Sequence, residues 1–168
     1  EMQPLSIVKE YWKAHQLQRI DEAVQQRTQP MLVFACLDDD AATVALLYQS
    51  GVQLVAEIDA HRSGKMYESK ETTKEYYGEI FSVIKTVKKV DSPLVIIGPG
   101  FAREHLMKAG KEKEPLLFKD AITHATANAG MNGVHEALKI GIVEQITKEN
   151  RVSKETQAVE KVLSLIHI

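Results

Sequence analysis

The chain has 168 residues, 44% of them hydrophobic and 26% charged, enough for one domain with attachments and a real core. Its net charge of −2 gives no global nucleic-acid signature, so any RNA contact has to come from a local patch. A lone cysteine, Cys36 in an apolar run, excludes an internal disulfide framework and suits a reducing cytoplasm; no apolar run approaches the roughly 20 residues that span a bilayer.

In chain order, residues 1–11 read as a linker, and Leu17, Ile20 and Val24 recur at helical spacing between Trp12 and Arg27 until Pro30 stops the pattern. Met31–Leu37 is continuously apolar, as expected of a strand buried on both faces. Asp38-Asp39-Asp40 turns the chain into a second strand, Ala42–Tyr48, and Gly51 opens a third. In that third strand Val52, Leu54, Ala56, Ile58 and Ala60 are expected to share one face. Thr72-x-x-Glu75 has the form of a capping box, starting a long helix with Tyr76, Tyr77, Ile80, Phe81, Ile84 and Val87 as its buried stripe.

Asp91-Ser92-Pro93 ends that helix, and Leu94–Ile97 reads as a fourth strand. A turn at Gly98-Pro99-Gly100, a short helix closing near Gly110 and a solvated charge run at Lys111–Glu114 follow. Leu116–Phe118, extending toward Ile122, reads as the fifth strand, and residues 124–133 as a mobile loop. The rest reads as a helix over Val134–Ile140, a short segment at Ile142–Ile146 and a last helix from Ser153 whose apolar face lacks a partner. The fold expected is therefore α/β: a mixed, roughly five-stranded sheet, a meander plus two strands, with helices on both faces. The start at Glu1 and the ending Leu163-Ser164-Leu165-Ile166-His167-Ile168 read as a fragment, or as a chain whose residues 164–168 are foreign to it.

Several constellations carry chemistry, each weighed against a plainer role. The meander followed by a helix suggests a ribonuclease-H-like nuclease, with Asp38, Glu75 and Glu79 as weak metal-ligand candidates. The end of the fourth strand supplies glycine and proline where another acid is needed, and Asp38–Asp40 also suit a turn. Gly98-Pro99-Gly100 lacks the third glycine of a dinucleotide loop, because Arg103 stands there, and a tight strand-to-helix turn explains it. The six histidines show no helical zinc pairing, and no Gly-x-Ser-x-Gly elbow occurs. The remaining patch is the basic loop His61-Arg62-Ser63-Gly64-Lys65 with Tyr67 and Lys70, whose cations and ring suit phosphate and base contacts, or simply a solvated loop.

In order and spacing, these segments resemble the archaeal Pelota family, ribosome-rescue relatives of peptide-chain release factors. The resemblance is carried by Pro4-Leu5-Ser6-Ile7 to Trp12, Ala42–Leu47, Gly51-Val52 to Ile58, Ser63-Gly64-Lys65, Gly98-Pro99-Gly100-Phe101, Gly133–Glu144 and Arg151-Val152-Ser153-x-Glu155-Thr156. It implies a central, release-factor-like domain over 12–147 of the type that mimics a tRNA acceptor arm. It further implies that 148–168 holds the linker and first helix of a truncated domain similar to ribosomal protein L30, with an Sm-like N-terminal domain preceding residue 1. Where a release factor carries the Gly-Gly-Gln tip, this chain has His61–Lys65, and no Gly-Gly-Gln occurs anywhere.

The function implied is recognition of stalled ribosomes in no-go and non-stop decay, with subunit separation and no peptide release. The partners implied are ribosomal RNA, tRNA, an elongation-factor-1-alpha-like GTPase and a ribosome-splitting ABC-type ATPase, met in the cytoplasm by a monomer. His61, Arg62, Ser63, Gly64, Lys65, Tyr67 and Lys70 become the expected contact residues. The family's divalent-cation-dependent endoribonuclease activity, the alternative function, is attributed to the N-terminal domain. The fragment itself is thus expected to be catalytically inert and without a cofactor.

Overall fold

The structure is a computed structural model describing residues 6–60, 70–89 and 92–166. The elements are α1 (Ala14–Thr28), β1 (Leu32–Leu37), β2 (Ala41–Tyr48), β3 (Gly51–Asp59), α2 (Lys70–Val87), β4 (Leu94–Gly98), α3 (Ala102–Lys113), β5 (Ile122–Ala125), α4 (Gly130–Lys139) and α5 (Ile142–Ile166). The strands form one five-stranded sheet in the order β3-β2-β1-β4-β5. β1, β2 and β3 are the antiparallel meander expected, while β4 and β5 add in parallel to β1.

The apolar run of β1 is buried throughout because helices cover both faces of the sheet's centre. Val33, Ala35 and Leu37 join a first core with Ile80, Phe81 and Ile84 of α2 and Leu106 of α3. Leu32, Phe34 and Cys36 join a second core with Val134 and Ala137 of α4 and with Ile142 and Ile146 at the start of α5. The stripe expected on α2 is the one that packs: Tyr76, Ile80, Phe81 and Ile84 are buried, with Tyr77 and Val87 partly so. Among the described residues no helix is long and apolar enough to cross a membrane.

Five readings need correction. The alternation assumed for β3 breaks at a register shift between Val44 and Ala45, where Val44 pairs with Ala56 but Ala45 with Leu54. Val55 is the extra residue of this bulge, and one inserted residue flips the parity of everything beyond it. Val52 therefore packs on the second core, while Ile58 and Ala60 belong to the first.

The fifth strand is Ile122–Ala125 rather than Leu116–Phe118. The latter residues form successive turns, in which the amides of Leu117 and Phe118 donate to the Glu114 carbonyl. Phe118 is fully buried there, edge-on to Phe81 at 5.2 Å, whereas Leu116 is 89% exposed. The stretch read as a loop over 124–133 holds the end of β5 and the first turn of α4. Finally, α5 is one continuous helix of 25 residues, and α3 runs past Gly110 to Lys113.

Both α1 and the far half of α5 leave apolar residues in solvent: Leu17, Ile20 and Val24 on the first, Val159, Val162 and Leu163 on the second. The packing contrast at 116–118 is testable. Phe118→Ala should lower stability by about 3–5 kcal/mol in urea titration, and Leu116→Ala should stay within about 0.5 kcal/mol of the parent. Equal losses would contradict the turn assigned here.

Candidate functional site

Because β1, β4 and β5 are mutually parallel, and β3 runs parallel to β1 across β2, four strand ends emerge at one edge of the sheet. That edge carries the Asp38–Asp40 turn, the exit of the 61–69 connection, the Gly98-Pro99-Gly100 turn and the segment 126–129. Carboxyl ends of parallel strands are where α/β sheets place their functional loops.

Each turn is held from its own side chains. The Asp38 carboxylate accepts the amides of Asp40 and Ala41, both at 2.8 Å, which closes an Asx-type turn. The Asp40 carbonyl accepts the Ala60 amide at 2.8 Å, and the Tyr76 hydroxyl of α2 donates to the Asp38 carbonyl at 3.4 Å. The strand end before the basic loop and the helix after it are thus both tied to the β1–β2 turn. At β4, Gly98 adopts a positive φ, and a Cβ there would run into the Leu37 carbonyl, so only glycine lets β4 end against β1. Arg103 folds back to donate to the Gly98 carbonyl at 3.2 Å and to that of Gly100, and pairs with Glu104 at 2.9 Å. Phe101, in the same turn, is 74% exposed. The plain steric account of the Gly-Pro-Gly turn is the one the geometry supports.

The segment 126–129 is clamped by Glu136 of α4. Its carboxylate accepts the Ala127 amide at 2.8 Å and the Asn128 amide and side-chain nitrogen at 3.0 Å each. The Ala127 amide, then the Asn128 side chain, hold the Glu136 carboxyl below the ordinary value of 4.5, with His124 adding in the same direction. Behind the segment, a Cβ on Gly133 would overlap the Asn128 carbonyl and lie 2.6 Å from the Cys36 sulfur. Burial pushes the Cys36 thiol up to about 12, so it stays an uncharged packing group at neutral pH.

Of the contact residues expected from the sequence, His61, Arg62, Ser63, Gly64, Lys65 and Tyr67 lie outside the described residues, and Lys70 is the first residue of α2. The alternative ligands are not brought together. The Asp38 carboxylate caps its own turn, Glu75 and Glu79 face solvent, and among the described residues no three His, Cys, Asp or Glu gather as a metal site. Sequence reasoning missed Glu136 and Arg103, because each reaches back onto a backbone that only the fold brings near it.

The clamp fixes a sign for pH. A carboxyl lowered by folding stabilises fully above its ordinary value, and that contribution is lost as pH falls through the lowered one. The amides of Ala127 and Asn128 should therefore exchange hydrogen faster below pH 4.5 than scaling of intrinsic rates allows, and Glu136→Gln should show faster exchange at neutral pH. Unchanged protection in that variant would remove the clamp.

Comparison with known proteins supplies the context. No protein-family model matches the chain. The protein pelota homolog of Thermococcus kodakarensis is 33% identical over 166 residues, which is 96% of this chain and 46% of that protein. That of Methanosarcina acetivorans is 32% identical over 159 residues, 95% of this chain and 45% of the relative. Among solved structures, one of ribosome-bound archaeal Pelota and ABCE1 matches with a TM-score of 0.71 and 32% identity, over 95% of this chain and 46% of that one. Archaeoglobus fulgidus Pelota matches with a TM-score of 0.67 at 27% identity, over 91% and 44%. Dom34 of S. cerevisiae, at 19% identity and a TM-score of 0.68 over 92% and 45%, shares the fold. The chain spans just under half the length of the relatives it matches, and over that span it is similar to Pelota-family proteins.

Proposed function

We propose that the chain is the tRNA-mimicking central part of a ribosome-rescue factor, one that recognises stalled ribosomes and promotes subunit separation without releasing the peptide. The observation that carries this reading is the match, over nearly the whole chain, to an archaeal Pelota seen bound to the ribosome together with ABCE1. An ABC-type ATPase is accordingly the expected splitting partner, and an elongation-factor-1-alpha-like GTPase the expected carrier. No-go and non-stop mRNA decay in the cytoplasm is the setting this function implies.

The stretch 61–70 is the proposed point of contact. A release factor hydrolyses peptidyl-tRNA through Gly-Gly-Gln, and here the corresponding loop reads His61-Arg62-Ser63-Gly64-Lys65. A guanidinium and an ammonium bind phosphate by charge and hydrogen bonding but offer no glutamine to position a water. Tyr67 can stack on a base or sugar, and Lys70 adds a further cation at the start of α2. The ties from the Asp38–Asp40 turn to Ala60 and Tyr76 would present this loop from a fixed base.

Arg62→Ala with Lys65→Ala, in the full-length protein, should weaken GTPase or ribosome binding by about tenfold, as loss of charged hydrogen bonds worth ~1.5 kcal/mol or more would do. Unchanged GTPase affinity and unchanged subunit splitting would reject the loop as the contact. We further take this stretch to act without a cofactor and without cutting RNA. Incubation of the 168-residue chain with a stem-loop RNA across a Mg²⁺ and Mn²⁺ titration should leave the RNA intact, and metal-dependent cleavage would reverse the assignment.

A further inference from the structure

We propose that the free edge of β3 is a docking strand for a basic, extended segment of a partner protein. β3 ends the sheet order, so among the described residues no strand pairs with its outer side, and at nine residues it is the longest strand of the sheet. Such an edge pairs with an added strand through main-chain hydrogen bonds, and the side chains beside it choose which strand.

The side chains on the face shared with α4 fall into two halves. Val52 and Leu54 stand beside Leu47 and Ala45, whose side chains belong to the second core, so the apolar surface of that core runs out to the edge. Leu54 is 45% exposed, and the bulge leaves Val55 37% exposed beside it. Beyond the bulge Glu57 and Asp59 stand beside Thr43 and Ala41 on this face, both exposed. Neither makes an ion pair among the described residues. The exposed Asp39 and Asp40 adjoin this end of the strand, where the Asp40 carbonyl holds the Ala60 amide.

Charge decides the occupant. A nucleic acid would bring phosphates against these carboxylates. A second copy joined antiparallel through the same edge would set its acids beside the Val52–Leu54 half and supply no cation to either acidic end, which disfavours self-pairing. A strand with alternate apolar residues and lysine or arginine completes both halves: its apolar side chains extend the Val52–Leu54 surface, and its cations meet Glu57 and Asp59. The proposal rests on residues 51–59 and does not depend on the function proposed for residues 61–70.

The test uses the whole chain, labelled with ¹⁵N, titrated with a short synthetic peptide of alternating lysine and valine. Amide shifts should concentrate over residues 51–59 and fade at high salt. Glu57→Lys with Asp59→Lys should weaken binding about tenfold, as loss of two pairs at ~0.7 kcal/mol each implies. Leu54→Ser should weaken it while leaving the charges in place. Three outcomes overturn the proposal: shifts centred elsewhere, equal binding of an alternating glutamate–valine peptide or a short single-stranded RNA, or shifts over 51–59 that grow with protein concentration in the absence of peptide.

Discussion

Placing β1 and β4 side by side in parallel demands a crossover between them, and the meander followed by α2 supplies it. The pairing closes only because the chain at Gly98 can turn against the Leu37 carbonyl with no side chain in the way. From that contact the remaining geometry follows. β5 can add parallel to β4, α2 and α3 share one face, and α4 with the start of α5 covers the other. The strand ends that carry the Asp38–Asp40 turn, Ala60, the Gly-Pro-Gly turn and segment 126–129 then fall along one edge.

Where burial is symmetrical, sequence was enough to read the fold. The run Met31–Leu37 and the stripe Tyr76–Val87 contain nearly every contact that defines them, so apolar pattern and structure agree. Where burial is lopsided, it was not. Ile122–Ala125 lies at the sheet's edge, half exposed, and lacks the apolar density that marks a strand, while Phe118 has that density and sits in a turn. The bulge at Val55 left no mark in a sequence that alternates well enough without it. The polar run 147–152 hid the continuity of α5, since a helix of this length needs no unbroken apolar period.

The candidate site shows the same division. Arg62 and Lys65 are candidates on residue type alone, and they lie outside the described residues. The braces around the site's edge of the sheet were not legible. The Glu136 carboxylate meets amides eight and nine residues before it, and Arg103 meets carbonyls three and five before it. These are side chain to backbone contacts, which leave no periodic trace in a sequence.

The unbroken course of α5 has a mechanical consequence. At 1.5 Å per residue, 25 residues make a rod of about 37 Å. Its first turns, at Ile142 and Ile146, are seated in the domain, and Val159, Val162 and Leu163 farther along are exposed. A tilt of about 10° at that seat would swing the far end by roughly 5 Å, because a hydrogen-bonded helix transmits rotation instead of absorbing it. Any strain on α4 or on the Cys36–Gly133 contact beneath it would thereby be amplified at Ile166, turning α5 into a lever whose fulcrum is the second core.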